Sequence, residues 1–400
     1  MNRSTGQGGR RREVFQAFLL LGLTSFGGPV AHLGYFRHEF VTRRHWLGER
    51  DYADLVALCQ FLPGPASSQV GFALGLLRAG PWGAALAWLA FTLPSALALV
   101  AFALGASLFD GPVGAGLIHG LKVAAVAIVA HAVWGMAMGL CPDRRRAGIA
   151  LAAVFTVVLM GGPLGQVVAI LMGVLAGLAL CRADGDDAPR VPLALPVSHR
   201  AGGLALVAFL ALLGGLPLLA FATASPTLDL LDAFYRAGAL VFGGGHVVLP
   251  LLEAEVVQSG WVSSDAFLAG YGAAQAVPGP LFTFAAYLGS LPGIGPGAGQ
   301  GAALALVAIF VPGLLLLVAV IPFWNTLRHW AGVQSAMRGA NAAVVGILGV
   351  ALYDPVWTGG ILGPEQFALA LAGFLLLVCW QLPAWAVVGL LAVSGILVAP

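Results

Sequence analysis

Gln60-Phe61-Leu62-Pro63-Gly64-Pro65 and a second copy, Gln275-Ala276-Val277-Pro278-Gly279-Pro280, each interrupt an apolar stretch long enough to enter a bilayer. A Pro-Gly-Pro triplet cannot continue a helix, because two ring nitrogens carry no donor and the glycine between them relaxes the backbone. The helix breaks there. Inside hydrocarbon, broken backbone persists only where protein or a polar cavity satisfies its freed N–H and C=O groups. The two hexapeptides therefore govern the fold and mark where a site belongs.

The surrounding chain is built for lipid. Of 400 residues, 60% are hydrophobic and 9% charged, and the mean hydropathy is +0.93, which reads as an all-α polytopic membrane protein with the lipid bilayer as its partner. A net charge of +2, with the basic residues in short loops, gives no case for nucleic acid. Cys59, Cys141, Cys181 and Cys379 form no C-x-x-C pair. No cofactor and no metal is therefore expected. Arg10-Arg11-Arg12 precede an apolar run from Val14 that lacks a small-residue cleavage site, so the segment reads as mature chain with a cytoplasmic N-terminus.

The second half repeats the first. Phe26-Gly27-Gly28 recurs as Phe242-Gly243-Gly244, Glu39 as Glu255, Trp46 as Trp261, Pro94 as Pro312, and Gly120-Leu121-Lys122 as Gly339-Ala340-Asn341, all collinear. The expected organisation is a transporter repeat over 1–181, a linker over 182–200, an unpaired connecting transmembrane helix over 201–222 and a second repeat over 223–400. An unpaired span between two even-numbered copies inverts one against the other. Loop charges agree: Arg37 to Arg50 is basic where its counterpart holds Glu253, Glu255 and Asp265, and Arg144-Arg145-Arg146 corresponds to a stretch without Lys or Arg. Because the N-terminal tail and Arg37 to Arg50 are both basic, 14–33 and 52–77 read as re-entrant hairpins, with interrupted spans as the alternative.

Inverted breaks near the midplane aim half-helix N-termini at one cavity, which suits a tetrahedral oxyanion. Gly27, Gly28, Pro63, Gly64, Pro65, Gly243, Gly244, Gly245, Pro278, Gly279 and Pro280 would supply backbone, and Gln60, Gln69, Gln275, Ser67 and Ser68 side-chain donors. Lys122 is an intramembrane cation, equally suited to substrate contact or to snorkelling. Arg236 has Asp232 one turn earlier as a structural partner. His32, His246, Glu39 and Glu255 are the proton-coupling candidates, His246 doubling as a substrate ligand. Gly243-Gly244-Gly245 lacks the Lys-Ser/Thr ending of a P-loop, and no nucleophile–base arrangement appears, so the chain reads as no enzyme.

Phe26-Gly27-Gly28-Pro29, Gln60-x-x-Pro63-Gly64-Pro65-x-x-x-Gln69, Phe242-Gly243-Gly244-Gly245-His246-x-x-Leu249-Pro250 and Gln275-x-x-Pro278-Gly279-Pro280 together resemble the chromate ion transporter family in its long, two-domain bacterial form. The resemblance implies chromate efflux across the bacterial inner membrane, driven by the membrane potential or proton gradient, with sulfate a close mimic. It leaves open sulfate or another oxyanion as substrate and a homodimer as assembly. A passive channel and a membrane-embedded lipid-phosphate enzyme are the competing classes. Phe284 stands in place of Gln69, and Asn341 in place of Lys122, so the first half is expected to hold more of the anion contacts.

Overall fold

The computed structural model describes residues 3–105, 111–181, 195–293, 295–327 and 330–397, and these contain helices and connecting loops with no strand. The first half comprises α1 (Arg3–Thr24), α2 (Gly28–Phe36), α3 (Glu49–Phe61), α4 (Ala66–Gly105), α5 (Pro112–Leu140), α6 (Arg144–Met160) and α7 (Gly162–Leu180). After α8 (His199–Thr223) the order recurs: α9 (Pro226–Ala239), α10 (Val248–Val256), α11 (Ser264–Ala276), α12 (Phe284–Ser290) and α13 (Ala298–Val320). The short α14 (Trp324–Leu327) precedes α15 (Ala331–Ala351), and the short α16 (Thr358–Gly360) precedes α17 (Pro364–Val378) and α18 (Ala384–Gly395). Among the described residues, six helical stretches are long and apolar enough to cross a membrane. One of them is α8, where the unpaired connecting helix was expected; Ser198 caps it by accepting the Ala201 N–H at 3.2 Å. Leu204, Leu210, Leu218 and Phe221 face outward, as a lipid-bathed helix requires, whereas Leu212, Leu213 and Leu216 pack toward Tyr235.

The helices flanking the breaks are too short to span. α2 has 9 residues, α3 has 13, α10 has 9 and α11 has 13. At about 1.5 Å per residue each covers roughly half of a ~30 Å hydrocarbon core. α4 is long only because it joins two helices across Ala79-Gly80, where Gly80 has φ +69°. Glu13 shows where these pieces begin and end. Its carboxylate accepts from Arg44 at 3.3 Å, from Trp46 at 3.3 Å and from Arg78 at 2.7 Å, and both guanidiniums lie over the Trp46 ring. The chain thus leaves Glu13, returns by Arg44, leaves again and returns by Arg78. Both segments fold back on themselves.

The halves are interlocked by matching contacts. The Gly64 N–H donates to Val241 O at 2.7 Å, and the Gly279 N–H donates to Ser25 O at 2.9 Å. Gly64 abuts Gly313, and Gly279 abuts Ser95, the residues following Pro312 and Pro94. α5 packs against α17 and α18, whereas α15 packs against α6 and α7. These crossings are close because they are lined by small residues: Gly120 lies on the backbone of Leu391 and Ala392, and its counterpart Gly339 on that of Gly173 and Gly177.

Candidate functional site

The site begins at the first break. Ser25-Phe26-Gly27 ends α1, and Gly27 (φ +100°) and Gly28 (φ +76°) turn the chain into α2, whose N-terminus carries no side-chain cap. At this start of α2 lies a cavity of about 560 Å³ that Gly27, Gly28, Ala31, His131, His246 and Gln275 help to line. His246 Nδ1 lies 3.0 Å from the Tyr271 hydroxyl. Gln275 also lines the cavity, its buried Nε2 directed at the Tyr271 hydroxyl one helical turn earlier. Among the described residues, no Lys, Arg, Asp or Glu lines this cavity. It offers helix N–H groups, an amide donor and two imidazoles, the chemistry that holds an anion without a fixed countercharge. The loop Gln381-Leu382-Pro383 between α17 and α18 forms its mouth.

The other expected ligands lie elsewhere. The Pro63-Gly64-Pro65 and Pro278-Gly279-Pro280 triplets are each bonded to the segment leading into the Gly-Gly break of the opposite half. Their glycine N–H groups are thereby consumed by Val241 and Ser25 carbonyls, so they are not the bare amides expected, because a donor freed by proline inside the membrane takes the nearest carbonyl. Gln69 is fully buried and donates to Pro63 O at 3.0 Å and Gly313 O at 2.9 Å, closing the break instead of opening it. Ser67 lies 3.3 Å from His32 Nδ1, whose Nε2 is 3.2 Å from Ser25 O; Ser68 is buried with its hydroxyl unpartnered. Gln60 is exposed at the end of α3. Gly243 (φ +77°) packs on Leu140, Met136 and Asn341, beside Gly244 (φ +138°), and the buried Gly245 touches Pro29.

The charged candidates are paired. Lys122 Nζ bonds Asp265 Oδ1 at 2.8 Å in a separate cavity that also holds His119. Arg236 bridges Glu255 at 2.8 Å and Asp232 at 3.0 Å, the structural pair anticipated from spacing. Glu39 accepts from Arg43 at 2.9 Å and Arg44 at 2.6 Å. Burial raises its carboxyl, but the two guanidiniums outweigh that and hold it below the usual range. Glu39, Glu253 and Glu255 are all buried, because α10 and the segment after α2 fold back into the protein.

The model of the chromate transporter family matches residues 12–178 and again 228–396. The chain belongs to the chromate transporter family. A probable chromate transport protein of Synechococcus elongatus is 29% identical, over 92% of this chain and 96% of its own length. Chromate transport proteins of Pseudomonas aeruginosa and Cupriavidus metallidurans are each 27% identical, covering 86% and 84% of this chain and 80% of their own lengths. No solved structure matches. The family model thus matches the chain twice, once in each half.

For this member of the chromate transporter family, sequence reasoning missed Tyr271, which is fully buried beside His246. Its signal was available: it stands one helical turn before Gln275, on the same face of α11. Ser25 was missed as well, because its contribution is a backbone carbonyl, and no residue type announces that.

Proposed function

We propose that this protein exports chromate across the bacterial inner membrane as a secondary-active transporter, the oxyanion seated at the N-terminus of α2. One observation carries the reading: the uncapped start of α2, the Gln275 amide and two histidines line one cavity to which, among the described residues, no carboxylate contributes. A dianion there gains charge-assisted hydrogen bonds in low dielectric. His246 and His131 are the groups that can take up a proton beside it, which would couple anion binding to a proton gradient. The halves are inverted copies with the boundaries given above. In support, α13 runs from the end of the second half that holds Asp265 to the end of the first that holds Trp46, where Ile321 and Trp324 join its core. The N-terminus is cytoplasmic, and so is the mouth by Pro383. Sulfate, the same tetrahedral dianion in outline, is the second substrate to examine. The relatives carry chromate transport in their names, and that supports chromate as the first.

Inverted vesicles test this. Labelled chromate is expected to accumulate when a gradient is imposed, to be inhibited by excess sulfate and to be lost on adding ionophore. Accumulation indifferent to the gradients would make the protein a channel, and none at all would end the export reading.

A further inference from the structure

The anion cavity has a counterpart of opposite character. Its wall on α5 is made by Ile128, His131 and Trp134. Ile347, Val350 and Tyr353 stand equally far beyond the aligned Gly339 and line a second cavity, of about 300 Å³. The α6–α7 junction at Gly161-Gly162 lines this second cavity, as the α17–α18 junction lines the first. The duplication has thus produced two equivalent cavities, and divergence has lined them differently.

Where the first cavity has histidines, the second has oxygen acceptors. Glu253 on α10 and Asp354 after α15 both line it, and among the described residues no Lys, Arg or His does. Among the described residues neither carboxylate has a cationic partner. Glu253 is 8% exposed and accepts only a neutral bond, from Gln258 Nε2 at 2.8 Å; Asp354 accepts from Thr358 at 2.9 Å. The independent sign is Gln166, which is 4% exposed and lines the same cavity. Its Nε2 is committed to Pro250 O at 2.8 Å, which turns its Oε1 free, and that oxygen is buried without a partner. A buried amide oxygen left bare beside two unpaired carboxylates is an arrangement that costs stability when empty and is relieved by a positive charge.

We propose that Glu253, Asp354 and Gln166 Oε1 bind a monovalent metal cation of the Na⁺ class, in the cavity symmetry-related to the anion site. The ligand set is all oxygen, as a hard cation requires, and mixes charged with neutral donors. A divalent ion such as Ca²⁺ takes 6–8 oxygens, usually with more carboxylates, and among the described residues no group of three or more His, Cys, Asp or Glu converges. Na⁺ completes its shell with water from the cavity. Inverted copies would put this site by the opposite membrane face from the anion mouth, where a coupling cation enters.

The test uses full-length protein in detergent without chromate, so its outcome is separate from that of the transport assay. Thermal unfolding is followed in NaCl against equimolar choline chloride, and ²²Na⁺ binding is measured by equilibrium dialysis. Na⁺ is expected to raise Tm saturably. Glu253→Gln, which keeps the Gln258 contact, and Asp354→Asn, at an exposed residue that tolerates change, are each expected to weaken Na⁺ at least tenfold, and Gln166→Leu to do likewise. Identical melting in the two salts with no ²²Na⁺ bound, an unchanged response in Asp354→Asn, or a response to CaCl₂ or to pH alone would overturn the assignment.

Discussion

At Gly64 the backbone has φ +119°, and a methyl group built there would stand 3.0 Å from both Gln69 Nε2 and the Gly313 Cα. At Gly28, φ is +76° and nothing lies within 4 Å. Both positions strain an L-residue by about 1–3 kcal/mol, but only the first also pushes two halves apart. Gly64→Ala is therefore expected to lower Tm in detergent clearly more than Gly28→Ala, whereas Gly28→Ala, which puts its methyl group in the anion cavity, should depress chromate flux out of proportion to its modest loss of stability. Equal melting shifts for the two would mean that the contact with Gly313 does not matter. The need for glycine in each triplet was legible from proline chemistry alone. The destination of each N–H was not: Gly64 bonds a carbonyl in the other half, and no local rule reaches that far. Lys122 illustrates the same blindness, since its partner Asp265 belongs to a different repeat.

Between residues and the whole, the sequence suggested hairpins, and the ion pairs bring the chain back as a hairpin requires. Hydropathy cannot distinguish a 26-residue interrupted span from two half-length helices, and roughly 20 apolar residues satisfy either; the return of the chain to Glu13 does distinguish them. Close to that junction, Glu39 is held by Arg43 and Arg44, with only 8% of its side chain exposed. Its carboxyl is depressed in the folded protein, so the unfolded chain binds the proton more tightly. The stabilisation is then fully present above the unfolded carboxyl range of about 4.3 and is lost as pH falls through the lower folded value. Glu39→Gln should cost about 1.5–3 kcal/mol at pH 7, and the gap in Tm between wild type and variant should narrow as pH is lowered toward about 4 and beyond. A gap independent of pH would show that the substitution acts through packing. Asp143 works the same way at the start of α6: it accepts the N–H groups of Arg145 and Arg146, at 3.0 Å each, and offsets three arginines at a helix start that the macrodipole disfavours.

At the scale of the molecule, collinear motifs revealed the duplication, but the pairing of α5 with α17 and α18, and of α15 with α6 and α7, was hidden. Small residues such as Gly120 and Gly339 say that a helix is approached closely and leave unsaid by which one. The interlock has a consequence that labelling can reach. If the halves are inverted hairpin-bearing copies, the ends gathered at Glu13 share one aqueous side, and the corresponding ends of the second half, where Gly295 lies against Leu230, share the other. Single cysteines placed in a variant lacking the four native ones should report this with an impermeant maleimide. Arg50→Cys and Trp82→Cys, both at exposed residues, are expected to label only in inverted vesicles. Ser259→Cys and Pro296→Cys, also at exposed residues, should label only in spheroplasts. Opposite sidedness for Arg50→Cys and Trp82→Cys would turn the Pro63-Gly64-Pro65 hairpin into a full span. Reaction of all four from one side would make the copies parallel, and a cavity opening by Pro383 could then no longer alternate with its counterpart by Gly161.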